Sequence, residues 1–229
     1  MLVLENTMQI EIKNIKKKYG KKQVLDGIDL CASQGKCIGI LGGNGCGKST
    51  LLSILAGVQP ADKGEFLFDG KDLFRYRKQR NTLVGYIPQG TPLIEELSAK
   101  DNLLLWYKKE DMKKELHSGV LKMLGIDEFL KTPVSKMSGG MKKRLSIGCA
   151  IHNHPPVLLL DEPMAALDLA CKQRISDYIS RHKEDGGIAL LVTHDVLELN
   201  LCDEWYIMKN GTISPFDYTG DIESLVKSL

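Results

Sequence analysis

The fold of this chain is decided by Gly42-Gly43-Asn44-Gly45-Cys46-Gly47-Lys48-Ser49-Thr50. This stretch fits the pattern GxxxxGK[ST], in which glycines let the backbone curl so that its N–H groups point at phosphate oxygens. Lys48 can then reach the terminal phosphates of a nucleotide, and Ser49 can bind Mg²⁺. An apolar run at residues 37–41 precedes the stretch, and a helical pattern at residues 49–56 follows it. This strand–loop–helix context predicts a phosphate-binding P-loop.

A P-loop needs a carboxylate on another strand to hold the metal ion. Asp161 follows the apolar run at residues 157–160 and supplies that carboxylate, and Glu162 comes directly after it. One carboxylate of such a pair can hold Mg²⁺ while its neighbour orients or deprotonates the attacking water. Asp161 is therefore the predicted metal ligand, and Glu162 is the predicted base.

Strands and helices alternate along the rest of the chain. Period-two apolar patterns predict strands at residues 8–12 and 25–30, and Asp69-Gly70 predicts a hairpin turn after a strand at residues 65–68. The remaining predictions are strands at 83–87, 157–160 and 188–192, a helical region at 97–130 that includes a helix at 111–124, helices at 138–152 and 168–182, and a hairpin turn at Asn210-Gly211. This alternation predicts an α/β fold with a parallel sheet, into which a helical region at about 90–150 is inserted.

The composition is that of an ordinary globular protein. Of 229 residues, 43% are hydrophobic and 26% are charged, and the net charge of +2 argues against a nucleic-acid partner. No apolar run approaches the roughly 20 residues of a membrane-spanning helix, so we expect any action at a membrane to require a partner. The six cysteines form no CxxC pair, which predicts reduced thiols in a cytosol and neither a metal site nor a disulfide framework.

Further motifs appear in the order that is typical of one family. The chain resembles the ATP-binding subunits of ATP-binding cassette (ABC) transporters. Met137-Ser138-Gly139-Gly140-Met141 is similar to the signature LSGGQ, and Pro88-Gln89 is similar to the Q-loop. The other matches are Tyr19 as the adenine-stacking aromatic, Ala166-Leu167-Asp168 as the D-loop and His194 as the switch histidine. The chain departs from the usual pattern in having Met137 for leucine, Met141 for glutamine and Ala165 for serine.

The resemblance implies a role for each matching residue. It implies that Glu162, His194 and Gln89 are catalytic, and that Ser49, Gln89 and Asp161 bind Mg²⁺. The residues that it implies for ATP binding are Tyr19, Gly42, Asn44, Gly45, Cys46, Gly47, Lys48, Ser49, Thr50, Ser138, Gly139, Gly140 and Asp168. The signature would cap the γ-phosphate of ATP held by a second subunit, either another copy of this chain or a paralogous ATPase.

The resemblance also implies an architecture. Residues 1–229 would form a single ABC ATPase domain with a P-loop NTPase core of parallel sheet, an N-terminal antiparallel β subdomain and a helical insertion subdomain. The catalytic core would comprise residues 8–89 and 155–229, and the helical subdomain residues 90–154. Trp106 and Tyr107, within the insertion, would belong either to its small core or to a groove that receives a helix of the membrane partner.

The function that follows is an ATPase that powers transport through a separate transmembrane permease, at the cytoplasmic face of the cell membrane. The short segment after His194 resembles that of exporter subunits, which favours export. The alternative is a soluble ABC ATPase with a non-membrane partner, such as the iron–sulfur cluster assembly ATPases. DNA-repair and translation types of ABC protein fit worse, because they carry long coiled coils or two cassettes.

Overall fold

The computed structural model describes residues 7–165, 167–218 and 220. Its strands are β1 (Gln9–Tyr19), β2 (Lys22–Ser33), β3 (Cys37–Leu41), β4 (Lys63–Phe68), β5 (Lys71–Asp72), β6 (Val84–Ile87), β7 (Val157–Asp161), β8 (Ile188–Val192), β9 (Glu204–Lys209) and β10 (Thr212–Phe216). Its α-helices are α1 (Lys48–Leu55), α2 (Arg77–Leu83), α3 (Ala99–Leu104), α4 (Lys109–Ser118), α5 (Val120–Met123), α6 (Gly139–Ala150), α7 (Leu169–Glu184) and α8 (Val196–Leu199). Short 3₁₀ turns lie at Ile126–Phe129 and Val134–Lys136.

A six-stranded sheet in the order β10-β9-β3-β8-β7-β6 forms the centre of the molecule. All its neighbouring strands pair in parallel except β9 and β10, which form the hairpin predicted at Asn210-Gly211. Every residue of β3, β7 and β8 is buried, because the sheet is covered on both faces. Leu158 and Leu160 pack into the core on the side of the helical region, whereas Val157 and Leu159 pack into the core on the opposite side. The predicted α/β fold with a parallel sheet is confirmed.

A four-stranded antiparallel sheet in the order β2-β1-β4-β5 packs with α1 against the second face of the central sheet. The alternating burial of β1 explains this packing, since Ile10, Ile12 and Ile15 are buried. Phe68 pairs with Lys71 across the turn predicted at Asp69-Gly70. The predicted N-terminal antiparallel β subdomain is therefore present.

The helical region differs from the sequence prediction in its divisions. The single helix predicted at 111–124 is wrong: α4 begins at Lys109, and the helix is interrupted at Gly119, whose φ of −101° and ψ of −159° are extended. The Glu115 carboxylate accepts the backbone N–H of Val120 at 2.8 Å, which gives the new helix a side-chain partner where the main-chain pattern is broken. Ser98 caps α3, because its hydroxyl accepts from the Asp101 N–H at 3.2 Å.

Four neighbouring strands, β3, β8, β7 and β6, run in the same direction, so their carboxyl ends meet at one edge of the sheet. Loops at this edge are where ligands bind in open α/β sheets. The loops after these strands contain the P-loop, His194, Glu162 and Gln89 respectively. No helix among the described residues combines the length and the apolarity needed to cross a bilayer.

Candidate active site

The P-loop connects β3 to α1 in a conformation that only glycine accommodates at two of its positions. Gly42 has a φ of +154° and Gly47 a φ of +117°. A Cβ on Gly42 would lie 2.4 Å from the carbonyl oxygen of Met208, and a Cβ on Gly47 would lie 2.9 Å from that of Val24. Both glycines are thus required by left-handed geometry and by close approach of neighbouring backbone.

Lys48 begins α1 and is buried, at 6% exposure. Its ammonium donates to the carbonyl oxygens of Gly42 at 2.6 Å and Gly43 at 3.1 Å, and so lies inside the curl of the loop. Asn44 and Gly45, at the crest, are exposed, Cys46 is half-buried, and Ser49 and Thr50 follow Lys48 in the first turn of α1. The predicted phosphate-binding residues therefore surround a single loop at a helix N-terminus, where anions are stabilised.

Asp161 ends β7 and is 3% exposed. The Ser49 hydroxyl lies beside its carboxylate and favours the charged form, so two of the predicted Mg²⁺ ligands are neighbours. Burial is the largest influence on this carboxyl and raises its pKa, and the neighbouring Glu162 acts in the same direction, while Lys143 and Lys48 oppose them. Among the described residues no three His, Cys, Asp or Glu side chains are grouped to hold a metal ion. A hydroxyl beside one carboxylate suits Mg²⁺, which usually keeps waters and phosphate oxygens as its other ligands.

Of the three residues predicted as catalytic, Gln89 and His194 both contact Glu162. The Gln89 amide donates to Glu162 Oε2 at 2.9 Å, and His194 Nε2 lies 3.6 Å from Glu162 Oε1. Burial, together with the positive charge of Lys48, lowers the pKa of His194, and Glu162 partly offsets this effect. The imidazole is consequently held in its neutral form at neutral pH, with Lys48 near enough to influence it.

Glu162 has an unusual backbone conformation. Its φ of +47° lies in the left-handed region, which is rare for residues other than glycine and costs about 1–3 kcal/mol. Its N–H donates to the carbonyl oxygen of Val192 at the end of β8 at 2.9 Å. This contact fixes the turn that carries the Glu162 carboxylate away from β7 and toward Gln89 and His194.

Tyr19 ends β1 and is 49% exposed. Its hydroxyl donates to the side-chain oxygen of Gln59, and the Gln59 amide nitrogen donates to Ser53 on α1. The Lys17 ammonium lies 5.7 Å from the Tyr19 ring centroid. The ring is therefore tethered at its hydroxyl end while its surface is open for the predicted adenine stacking.

The predicted signature residues belong to a different part of the molecule. Ser138 caps α6 by accepting the Met141 N–H at 3.2 Å, and Asp168 caps α7 by accepting the Cys171 N–H at 2.8 Å. A Cβ on Gly140 would lie 2.7 Å from Cys171 Sγ, so the two helix starts are adjacent. None of the hydrogen bonds in the described part of the chain connects Ser138, Gly139 or Gly140 to the P-loop. Ala166 of the predicted D-loop lies outside the described residues.

Two buried charged residues near the site were missed by sequence reasoning. Lys143 on α6 donates to the carbonyl oxygens of Pro88 at 2.7 Å and Gln89 at 3.3 Å. Glu198 on α8 is 1% exposed and accepts the N–H of Met164 at 3.1 Å. In the sequence, Lys143 is one of several charged residues in a predicted helix, and Glu198 belongs to no motif. No local sequence pattern therefore indicates that either residue is buried near the site.

The two aromatic residues considered for docking have different environments. Tyr107 is 6% exposed and its hydroxyl donates to the Gly148 carbonyl at 2.9 Å, which makes it part of the helical core. Trp106 is 56% exposed, beside the exposed Leu104 and Leu105, and packs against the His152 ring at a centroid distance of 5.4 Å. Tyr107 therefore belongs to the core of the helical region, whereas Trp106 is exposed and could contact a partner protein.

A glycine loop at the carboxyl end of a parallel sheet, with a buried acidic residue at the end of another strand beside the helix that the loop begins, defines the class of P-loop nucleotide-binding domains. The family model described as ABC transporter matches residues 25–165. The chain belongs to that family and is an ABC-type ATPase domain.

Individual relatives agree with this assignment. The spermidine/putrescine import ATP-binding protein of Mesoplasma florum is 36% identical over 228 residues, which cover 96% of this chain and 64% of that protein. The linearmycin resistance ATP-binding protein of Bacillus subtilis is 32% identical over 207 residues, which cover 88% of this chain and 67% of that protein. The chain thus spans about two thirds of the length of these relatives.

A solved structure matches over nearly the whole fold. A dimeric ATP-binding cassette in a post-hydrolysis state, bound to ADP and Pi, superposes with a TM-score of 0.78 at 27% identity, covering 91% of this chain and 99% of that one. The likeness includes the α/β core and the helical region together.

Proposed function

We propose that this chain hydrolyses ATP and thereby powers transport through a separate transmembrane permease. The single observation that carries the proposal is the contact of Glu162 with both Gln89 and His194, close to Lys48 and the P-loop. A carboxylate held by an amide and an imidazole beside a phosphate-binding loop suits orientation of a water for attack on the terminal phosphate.

Each residue of the site would have a separate role in ATP hydrolysis. Lys48 would exchange its carbonyl partners for the β- and γ-phosphates of ATP, and the P-loop N–H groups would bind the remaining oxygens. Glu162 would accept a proton from the attacking water, while His194 and Gln89 orient the carboxylate and the γ-phosphate. Ser49, Asp161 and Gln89 would hold Mg²⁺, which supplies charge neutralisation at the phosphates.

A second subunit would complete the site. Ser138, Gly139 and Gly140 form an N–H-rich helix start that is suited to an anion, and Asp168 lies at the neighbouring helix start. Since no hydrogen bond in the described residues links this region to the P-loop of the same chain, a partner subunit would present its signature to the ATP. The dimeric relative supports this arrangement, with either a second copy or a paralogous ATPase as partner.

The permease would bind at the helical region. Leu104, Leu105 and Trp106 are 39%, 58% and 56% exposed and form an apolar surface at the end of α3. Lys143 joins the start of the Q-loop to α6 of the same region, so a partner seated there could influence Gln89. Binding of this kind would place the chain at the cytoplasmic face of a membrane.

The direction of transport and the division of the domain belong to the same proposal. The relatives include the import protein described above and the Nod factor export ATP-binding protein I of Sinorhizobium fredii, which is 32% identical over 212 residues. Export remains the prediction from the sequence.

Residues 1–229 would act as one ATPase domain, with residues 8–89 and 155–229 as catalytic core and residues 90–154 as helical subdomain.

The test has two parts. ATP hydrolysis by the purified chain should be lost in Glu162→Gln and retained in Glu184→Gln, which makes the same chemical change at an exposed position on α7. The tagged chain, purified in detergent from its own membranes, should retain a polytopic membrane protein. Trp106→Ser should lose that protein without losing hydrolysis. Recovery of soluble partners alone, with none of the chain in the membrane fraction, would instead favour the iron–sulfur assembly type of function.

A further inference from the structure

A surface cavity of about 560 Å³ lies at the end of α1 that is remote from the P-loop. Residues 57–64, which lead from α1 into the start of β4, form one wall, and α2 with the preceding Phe74 forms the other. Phe74 and Val58 line it with apolar surface, and Arg77 and Arg80 line it with guanidinium groups. The ATP site described above uses none of Val58, Phe74, Arg77 and Arg80, although Gln59 on the first wall is the residue that accepts the Tyr19 hydroxyl.

Arg80 is buried without a counter-ion. It is 8% exposed, and its Nε atom is inaccessible to solvent and has no hydrogen-bond partner. No carboxylate within the described residues lies at ion-pair distance from it. A Cβ on Gly57 would lie 1.9 Å from Arg80 Nη2, so the guanidinium rests directly on the backbone that follows α1. The negative end of the α1 dipole partly compensates the charge, but it supplies no hydrogen bond.

The other charged residues around the cavity add to its excess of positive charge. Arg77 lies three residues before Arg80 on α2 and so on the same face. Burial lowers the pKa of Arg80, and the positive charge of Arg77 lowers it further. Lys63 is a third cation at the rim, while Asp62, the acidic residue there, is already engaged by the Lys17 ammonium at 3.0 Å and the Lys18 N–H at 2.7 Å.

We propose that this cavity binds a small organic phosphate, with Arg77 and Arg80 as the ligands of the phosphate group. Two guanidinium groups match the geometry of a phosphate dianion, and such pairing would give the charge of Arg80 a counter-ion. The cavity is larger than a phosphate ion, and its apolar walls at Phe74 and Val58 suit the organic portion of the molecule. The site is separate from the P-loop and does not depend on the function proposed above.

The test is calorimetric titration of the full chain, loaded with Mg²⁺ and a non-hydrolysable ATP analogue so that the P-loop is filled. The probe is glycerol 3-phosphate, with glycerol and inorganic phosphate as comparisons. We expect saturable binding of glycerol 3-phosphate with a Kd of about 1 mM or below, weaker binding of inorganic phosphate and none of glycerol. Filling of the P-loop is measured in a separate titration, so its failure is distinguishable from failure of this site.

Variants assign the binding to the cavity. Arg77→Gln should weaken binding about tenfold or more, because it removes one charged fork. Arg75→Gln is the matched control, since Arg75 is exposed, pairs with Asp72 at 3.1 Å and lies outside the cavity. It should change the Kd by less than about twofold.

Three results would overturn the proposal. They are the absence of saturable heat up to about 20 mM glycerol 3-phosphate, equal weakening by Arg75→Gln and Arg77→Gln, and binding of inorganic phosphate as tight as that of the ester. Arg80→Lys, which keeps the charge and removes the fork, should also weaken binding. If that variant does not fold, Arg77→Gln alone decides.

Discussion

Replacing Glu198 with glutamine should remove a large pH dependence of stability. Glu198 Oε1 accepts the Met164 N–H, but Oε2 is buried without a hydrogen-bond partner. The neighbouring Thr193 hydroxyl favours the charged carboxylate, but it does not offset the burial. Burial, reinforced by the charge of Asp195, raises the pKa of Glu198 to about 7 from its ordinary value of 4.5. A glutamine amide can still accept the Met164 N–H, and it carries no charge to bury.

The direction and the size of this pH dependence of stability follow from proton linkage. The unfolded chain releases the Glu198 proton near pH 4.5, whereas the folded chain keeps it until about pH 7. The protonated carboxyl therefore stabilises the fold fully below pH 4.5, and this contribution is lost as the pH rises through 7. At about 1.4 kcal/mol for each pH unit between the two values, the total is about 3 kcal/mol, of which about 2.5 kcal/mol is lost between pH 5 and pH 8.

Urea unfolding of the wild type and Glu198→Gln at pH 5 and pH 8 measures this quantity. The difference in free energy of unfolding between the two proteins should shift by about 2.5 kcal/mol in favour of the variant on going to pH 8. Comparing the two proteins cancels the titration of the other groups. Glu184→Gln, at an exposed site, should show no such shift. A shift below about 0.5 kcal/mol in Glu198→Gln would refute the reasoning.

Three further variants test the nucleotide site. Lys48→Ala should weaken ATP binding about tenfold or more, because the cation inside the loop is removed, and unchanged affinity in a fluorescent-nucleotide titration would contradict the P-loop assignment. Glu162→Gln should slow hydrolysis about 10²-fold or more and leave an ATP-bound dimer, so a monomer in gel filtration at saturating ATP and Mg²⁺ would argue against the predicted base. Ser138→Arg should retain ATP binding but block dimer formation and hydrolysis. Normal turnover in Ser138→Arg would remove the signature assignment.

The central strands were predictable because their physical signal is local. A short apolar run such as Ile188–Val192 has no stable environment other than a sheet that is covered on both faces, and β8 has these bounds. The α1 prediction was accurate within one residue, because the P-loop positions its start and Gly57 follows its end. Ser138 and Asp168 likewise act as the N-caps that their residue types favour.

The errors concern features that depend on distant contacts. The interruption at Gly119 depends on the Glu115 carboxylate accepting the Val120 N–H, which a periodicity argument does not detect. Helix α2 was missed because its seven residues are mostly polar and it packs mainly by burying Arg80. The predicted catalytic residues come from three separate loops, and only the parallel order of β6, β7 and β8 explains why Gln89, Glu162 and His194 meet.

Lys143 has a mechanical consequence. Lys143 is 5% exposed, and its ammonium donates to the carbonyls of Pro88 and Gln89. Separating these groups would leave a buried cation without acceptors, at a cost of several kcal/mol. The main chain at Gln89 and the helix that begins after Ser138 should therefore move together as one rigid unit. In a dimer whose signature faces the other subunit's nucleotide, a displacement at Gln89 in one site would reach the second site as a displacement of Ser138. Lys143 would thus couple the conformational changes of the two nucleotide sites.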